Sequence, residues 1–308
     1  MSRNPERNDR KSGKKGPGNS GERSRKGGAF DAPKAGPDRG GWNPNPPTKA
    51  FSTAAPRSGG GAGRGKVDAD GFVWGRHPVM AALENPARKG MGRLLATADR
   101  AAELERDGIP NGHRVEVIES LALERMLPAG AVHQGLAFKV QPLEGVALED
   151  FADPAEGLIV MLDQLTDPQN VGAIFRSALA FGARGIIVQD RHSPVLAGAL
   201  AKASAGATER LPCARVTNLS RALERLADLG WRAVGLDGSS EELLETALDH
   251  RPTVLVMGSE GDGIRRLVAE HCDVLAKIPM PGGFESLNVS NAAAVALYEA
   301  TRKQRSLD

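Results

Sequence analysis

Five short aliphatic runs constrain this chain more than any other feature. They fall at 158–162, 185–188, 231–236, 253–257 and 274–278, and helical patterns alternate with them. The runs are continuous rather than alternating with polar residues. That is what a parallel strand needs when helices cover both faces of its sheet. The spacing predicts helices at 171–181, 195–203, 219–229, 264–270 and 292–303. An α/β domain over 155–308 follows, and in such sheets ligands bind beyond the carboxyl ends of the strands.

Three polar clusters lie in loops of that kind. The first reads D-P-Q-N-V-G from Asp167, then F-R-S from Phe175. Asn170 suits a helix cap, and Arg176 sits on a surface otherwise lined by Ala, Ile and Phe. An Arg beside an apolar stripe is commonly a solvated side chain, so the residues alone leave a structural reading open. The second cluster, Gly258 to Gly263, reads G-S-E-G-D-G. Its glycines permit close backbone approach to a ligand, and the following helix offers free amides. The spacing is not that of a dinucleotide fingerprint and it comes late in the chain, which sets a dehydrogenase aside. The third cluster, at 278–302, runs from I-P-M-P-G-G into S-L-N-V-S and a long apolar helix. Ser290 suits the cap of that helix. Ser286, Asn288 and Ser290 fit either a binding site at a helix N-terminus or ordinary cap and turn chemistry. Ala292, Ala293, Ala296 and Ala300 give the helix a small face that another backbone can approach.

Upstream, strands are predicted at 72–75, 93–96 and 114–118, with helices at 76–83, 98–106 and 120–127. Together with the segment 132–138 they make a small α/β unit over 70–140. Residues 141–154, with Pro142 and several acidic residues, read as a linker.

Residues 1–66 differ in kind. They hold 15 Lys and Arg against 5 Asp and Glu, whereas the remainder holds 25 against 33, so the chain's net charge of +2 conceals a strongly basic arm. With 14 Gly and 8 Pro, that arm cannot bury enough apolar surface to offset its ordering entropy, and disorder is expected. It suits a phosphate backbone or serves as a solubilising tail. No apolar run reaches membrane-spanning length and no signal core follows Met1, so a soluble, cytoplasmic protein is expected. Cys213 and Cys272 are too few for a disulfide framework, and the six histidines do not cluster with them. No metal site is expected.

The three clusters resemble, in order, the signatures of the SpoU-type (TrmH-like) RNA ribose 2′-O-methyltransferases of the SPOUT superfamily. The matches are D-P-x-N-x-G-x-x-x-R at 167–176, G-x-E-G-x-G at 258–263, and I-P-M…S-L-N-V-S-x-A at 278–292. G-x-H-P-V at 75–79 and H-Q-G-L-A at 133–137 resemble the borders of that family's substrate-binding domain, which is similar to a ribosomal-protein-type RNA-binding fold. His133 and Gln134 then either contact RNA or are structural.

The resemblance implies a C-terminal α/β knot, S-adenosylmethionine as cofactor, RNA as partner and a homodimer with sites across its interface. It assigns cofactor contacts to Gly258, Ile278, Met280, Leu287 and Asn288, and catalytic or orienting roles to Asn170, Arg176, Glu260, Ser286, Asn288 and Ser290. In this reading Asn170 holds Arg176, and Glu260, Ser286, Asn288 and Ser290 orient Arg176 and the ribose. Arg176 serves as base or as charge stabiliser, and a guanidinium with a pKa above about 12 is a poor base. Phe284 and Glu285 depart from the smaller residues expected before Ser286. A small α/β unit ahead of the knot resembles the branch that methylates a guanosine of large-subunit rRNA more than the tRNA enzymes. The competing reading is an RNA-binding assembly factor without catalysis, against which the intact Asn170, Arg176, Glu260 and Ser286 argue.

Overall fold

The apolar runs resolve into two sheets in the computed structural model, which describes residues 69–282 and 286–305. The basic arm at 1–66, together with Phe284 and Glu285, lies outside the described residues.

The first sheet is built from β1 (Phe72–Trp74), β2 (Arg93–Ala96), β3 (Val115–Val117) and β4 (Leu136–Lys139), in the order β1-β4-β2-β3. β4 runs antiparallel to both neighbours, and β2 and β3 are parallel. Helices α1 (Arg76–Glu84), α2 (Ala98–Asp107) and α3 (Ser120–Met126) complete the unit. Alternate strand residues feed opposite cores. Val73, Leu94 and Phe138 pack with α1 and α2, whereas Phe72, Trp74 and Leu95 pack with Leu123 of α3. The predicted 132–138 segment is shorter as a strand, because residues 133–135 form a turn. Gln134 there takes a positive φ of 56°.

The second sheet holds β5 (Leu158–Leu162), β6 (Gly185–Gln189), β7 (Cys213–Val216), β8 (Arg232–Leu236), β9 (Thr253–Met257) and β10 (Val274–Ala276). Its order is β10-β8-β9-β5-β6-β7, and every pairing is parallel. The helices around it are α4 (Glu149–Ala152), α5 (Pro168–Ala180), α6 (Gly198–Ala203), α7 (Leu219–Asp228), α8 (Leu244–Ala247), α9 (Arg266–Ala269) and α10 (Val289–Arg305). In β5 the residues Leu158, Val160 and Leu162 face one core and Ile159 and Met161 the other, all essentially without exposure. Each such side chain contributes roughly 1.5–3 kcal/mol by leaving water. No helix among the described residues is long and apolar enough to cross a membrane.

Three expectations change. The 141–154 segment is not a free linker, because its backbone bridges to Leu196 and Ala214 and its Leu148, Phe151 and Ala152 enter the core. The small face of α10 is spent inside the chain: Ala293, Ala296 and Ala300 are buried in the core that α10 shares with α5. Its exposed side instead carries Val295 and Tyr298, 43% and 58% accessible. Finally, β7 and α8 were not anticipated. β7 carries Arg215 within it, and α8 is a single turn.

The two sheet units are fixed to each other. Ala201 of α6 joins the core of the first unit. Arg88 meets Glu209 in a bidentate pair, with Nε–Oε2 at 2.8 Å and Nη2–Oε1 at 2.9 Å. The two side chains are 3% and 0% exposed. The remaining polar atoms are satisfied as well: Arg88 Nη1 donates to the Gln141 carbonyl at 2.8 Å and Asn85 Nδ2 to Glu209 Oε2 at 2.9 Å. Breaking such a buried pair from one side costs about 3–5 kcal/mol. Gly206 is required where the units touch. Its φ of +89° is left-handed, and a side chain there would strike Ala81 and the His77 carbonyl.

Candidate active site

β5, β9, β8 and β10 are neighbours or near-neighbours in the sheet, so the loops after them open on one edge. The loops after β8, β9 and β10 enclose a cleft of about 660 Å³. Gly258, Glu260, Ile278, Met280, Ser286 and Leu287, all anticipated, line it. The sequence reading missed Asp237, Gly238 and Ser239, the loop after β8, which form another wall. The signal was available: D-G-S follows an aliphatic strand at the same sheet edge. That loop is held by Asp237, whose amide donates to the Ala276 carbonyl and whose Oδ1 accepts from the Ser239 amide and hydroxyl.

The glycine loop works differently from the expectation. A Cβ on Gly258 would overlap the backbone of Gly263 and Ile264, so Gly258 is needed for the chain to close on itself. Ser259 and Gly263 exchange both backbone hydrogen bonds at 3.1 Å. The next helix, α9, is one turn long, and the amide just before it, at Arg265, donates to buried Asp163 at 2.9 Å. Arg265 Nε also donates to Asp163, at 2.8 Å, so the amide is occupied rather than offered to a ligand.

At the rim of the cleft, side chains from the first turn of α5, the loop after β9 and the loop before α10 lock together. Asn288 Nδ2 donates to Glu260 Oε1 at 2.8 Å and to Asn170 Oδ1 at 3.0 Å. Asn170 Nδ2 and the Val289 amide also donate to Glu260 Oε1, each at 3.3 Å. Asn288 Oδ1 accepts from the Ser290 hydroxyl at 2.6 Å, from its amide at 3.0 Å and from the Asn291 amide at 3.3 Å. Asn288 is therefore the cap of α10, and Ser290, expected in that role, lies within the first turn. Asp167, not Asn170, caps α5, accepting from the Gln169 and Asn170 amides at 3.1 and 3.3 Å. This frees the Asn170 side chain for the web.

Arg176 is not part of that web. It lies six residues after Asn170, about 9 Å along the helix and on a different face. It is exposed, has no hydrogen-bond or ion-pair partner among the described residues, and lines a separate cleft between α1 and α5. Within one chain, then, Asn170 is tied to Glu260 and Asn288 rather than to Arg176.

His133 Nδ1 accepts from the Gly135 amide at 3.0 Å, and Gln134 Oε1 accepts from the Arg76 amide at 3.0 Å at the start of α1. Both residues thus have structural work in the turn before β4. Burial pushes the thiols of Cys213 and Cys272 up to about 12, so both stay protonated near neutrality. Among the described residues no group of three or more His, Cys, Asp or Glu is placed to hold a metal ion.

Two family descriptions match the chain. The SpoU rRNA methylase family covers residues 157–298, and the RNA 2′-O ribose methyltransferase substrate-binding domain covers residues 72–146. A Mycolicibacterium smegmatis protein described as an uncharacterized tRNA/rRNA methyltransferase is 40% identical over 270 residues, 85% of either chain. The chain belongs to the SpoU methyltransferase family. A relative from Mycobacterium sp. strain KMS, with the same description, is 41% identical over 249 residues, 78% of this chain and 79% of its own. Among solved structures, the SpoU methyltransferase AviRb from Streptomyces viridochromogenes in complex with AdoMet matches this SpoU chain with a TM-score of 0.64 at 28% identity. The match covers 76% of this chain and 90% of AviRb. An AdoMet-bound rRNA methyltransferase from Sinorhizobium meliloti gives 0.63 at 26% identity, over 75% and 86% of the two chains.

Proposed function

We propose that this SpoU enzyme methylates a ribose 2′-hydroxyl of RNA, with a guanosine of large-subunit rRNA as its target. The observation that carries the reading is the 660 Å³ cleft bordered by the Glu260–Asn288–Asn170 web. S-adenosylmethionine fits it, and supplies an electrophilic methyl group when bound. Leu287, a large apolar side chain left 38% exposed at the cleft, offers a face for an aromatic base. Ile278 and Met280 extend the apolar wall, while the loops at 237–239 and 258–263 present backbone on the other sides. Glu260, fixed by three donors to one oxygen, holds the rim in register with α10.

Arg176 acts on the ribose. A guanidinium is a poor proton acceptor but a good partner for developing negative charge, so Arg176 stabilises the 2′-alkoxide while the proton leaves to a phosphate oxygen of the RNA. Since Arg176 faces away from the web in its own chain, we assign the completed site to a homodimer in which Arg176 of one copy serves the cleft of the other. Val295 and Tyr298, exposed on α10, give that helix an apolar surface for such an interface. The second and third signatures, at 258–263 and 278–292, carry the proposed C-terminal knot. The 72–146 unit selects the RNA, and the enzyme works in the cytoplasm, where that RNA is found. The rRNA target has the Sinorhizobium neighbour in its favour, whereas the curated relatives' description names tRNA as well.

Calorimetry with S-adenosylmethionine tests the cofactor reading, and absence of binding overturns it. Mapping 2′-O-methyl marks in rRNA and tRNA of a deletion strain tests the substrate, with loss of a single rRNA guanosine mark expected. Mixing Arg176→Ala with Leu287→Asp tests the shared site. Subunit exchange should restore about a quarter of wild-type activity if sites form across the dimer, and none if each chain serves itself.

A further inference from the structure

The cleft that contains Arg176 has features the methyl-transfer chemistry does not require. It measures about 480 Å³ and is lined from both units: Arg76, His77 and Met80 from α1, Arg176 and Leu179 from α5, and Arg210 beyond α6. We propose that this cleft is the RNA-backbone site of the enzyme, with Arg76 and Arg210 holding phosphodiesters on either side of the nucleotide that meets Arg176. The inference rests on the RNA methyltransferase reading and adds residues to it.

Three arginines share the cleft with one lining carboxylate, Glu84. Glu84 is paired with Arg210 at 2.8 Å, but the two side chains are 49% and 56% exposed. An ion pair so open to water contributes little, and a phosphate that offers the guanidinium two oxygens competes well for it. Arg76 is similarly available. Its partner Glu103, at 3.0 Å, is also held by Arg100, whose hydrogen bond is the first cause keeping that carboxylate below the usual range. Arg76 can therefore turn to a phosphate without leaving Glu103 unpaired. Arg176, which lines the same cleft, has no competing partner at all among the described residues. Met80 and Leu179 give the cleft an apolar wall for a ribose or base.

The spacing of these cations is built in. Gly206 brings the turn after α6 against α1, and the buried Arg88–Glu209 pair ties that turn to the one that follows α1. A pre-set separation is what a site that positions one nucleotide needs, since the binding then carries no cost of arranging the units.

The test compares the full-length wild type with R76A/R210A and R76K/R210K. Filter binding of a mixed-sequence oligoribonucleotide and of a large-subunit rRNA transcript is measured across salt, alongside calorimetry with S-adenosylmethionine and thermal melting. R76A/R210A should lose about tenfold in RNA affinity, and its slope of log affinity against log salt should fall by about 1.4, two phosphate contacts of a single strand. Cofactor affinity and melting should not change. R76K/R210K should recover the slope but only part of the affinity, because lysine keeps the charge without the planar fork. An R76A/R210A slope and affinity equal to wild type, in an enzyme that binds both ligands, overturns the cleft assignment alone. A wild type that binds neither RNA nor S-adenosylmethionine overturns the functional reading beneath it.

Discussion

The two ends of α5 behave as opposites. At its start, Asn170 is tied to Glu260 and Asn288, and every tie is made within one chain. Two turns later Arg176 stands exposed with no partner among the described residues. Both residues come from the same ten-residue signature, so proximity in sequence says nothing of shared duty. The first end is an arrangement the fold completes by itself, and should resist change as a structural part does. The second, if Arg176 serves the ribose as proposed, should be invisible to stability and decisive for turnover.

Arg176→Ala puts the largest strain on that contrast. The single-turnover rate should fall about a hundredfold or more, the scale for losing one charge-stabilising group, with cofactor affinity and melting temperature unchanged. Arg176→Lys should rescue little if planar, bidentate geometry matters. A near wild-type rate with saturating RNA makes Arg176 a surface residue and dissolves the contrast.

Leu287→Asp acts at the cofactor wall. A carboxylate against the expected base contact should weaken S-adenosylmethionine by about tenfold or more, read by calorimetry, before any effect on RNA binding. Equal losses of both ligands would mean that cofactor and RNA surfaces are not separate.

Asn288→Ala sharpens the other side. It removes the cap of α10 and two ties of the web, so a loss of about 1 kcal/mol or somewhat more is expected in denaturant unfolding. An unchanged midpoint would show that the web does not hold the rim.

The smallest effect belongs far from both ends. His271 is raised above the ordinary histidine value first by the Leu267 carbonyl and then by Glu224, which lies 3.0 Å from Nε2. A raised value means the pair's contribution is fully present below about pH 6.5 and lost as pH rises through the folded value. Glu224→Gln should therefore lower the melting temperature slightly near pH 5.5 and leave it alone near pH 9. A shift of equal size at both values would assign it to packing rather than charge.

Much of this was legible in the residues, for identifiable reasons. The continuous aliphatic runs located five of the six parallel strands because strands buried on both faces have no polar residue to blur them. β7 escaped because it is an edge strand whose Arg215 reaches out to Asp190. The cleft residues from Gly258 to Leu287 could be named because each lies in a loop after a strand. Their partners could not. Ser290 and Asn170 satisfy the local rule for a cap, yet Asn288 and Asp167 take the position, since which oxygen reaches the free amides depends on where the loop enters the helix. The alanine face of α10 was equally ambiguous: small residues state that something approaches closely, and only the three-dimensional arrangement shows that it is α5 of the same chain.

The Arg88–Glu209 pair has a consequence for how such a sequence can change over time. Either residue alone is a liability without the other, so the two positions cannot drift independently. A lineage can leave the pair only by a double replacement, for instance with two apolar residues of matching volume, or through an intermediate whose units have come apart. Positions 88 and 209 belong to different units and are separated by more than a hundred residues, yet they should be inherited as one character. A chimera that joins one relative's first unit to another's second would reveal this at once, working only when both parents made the same choice.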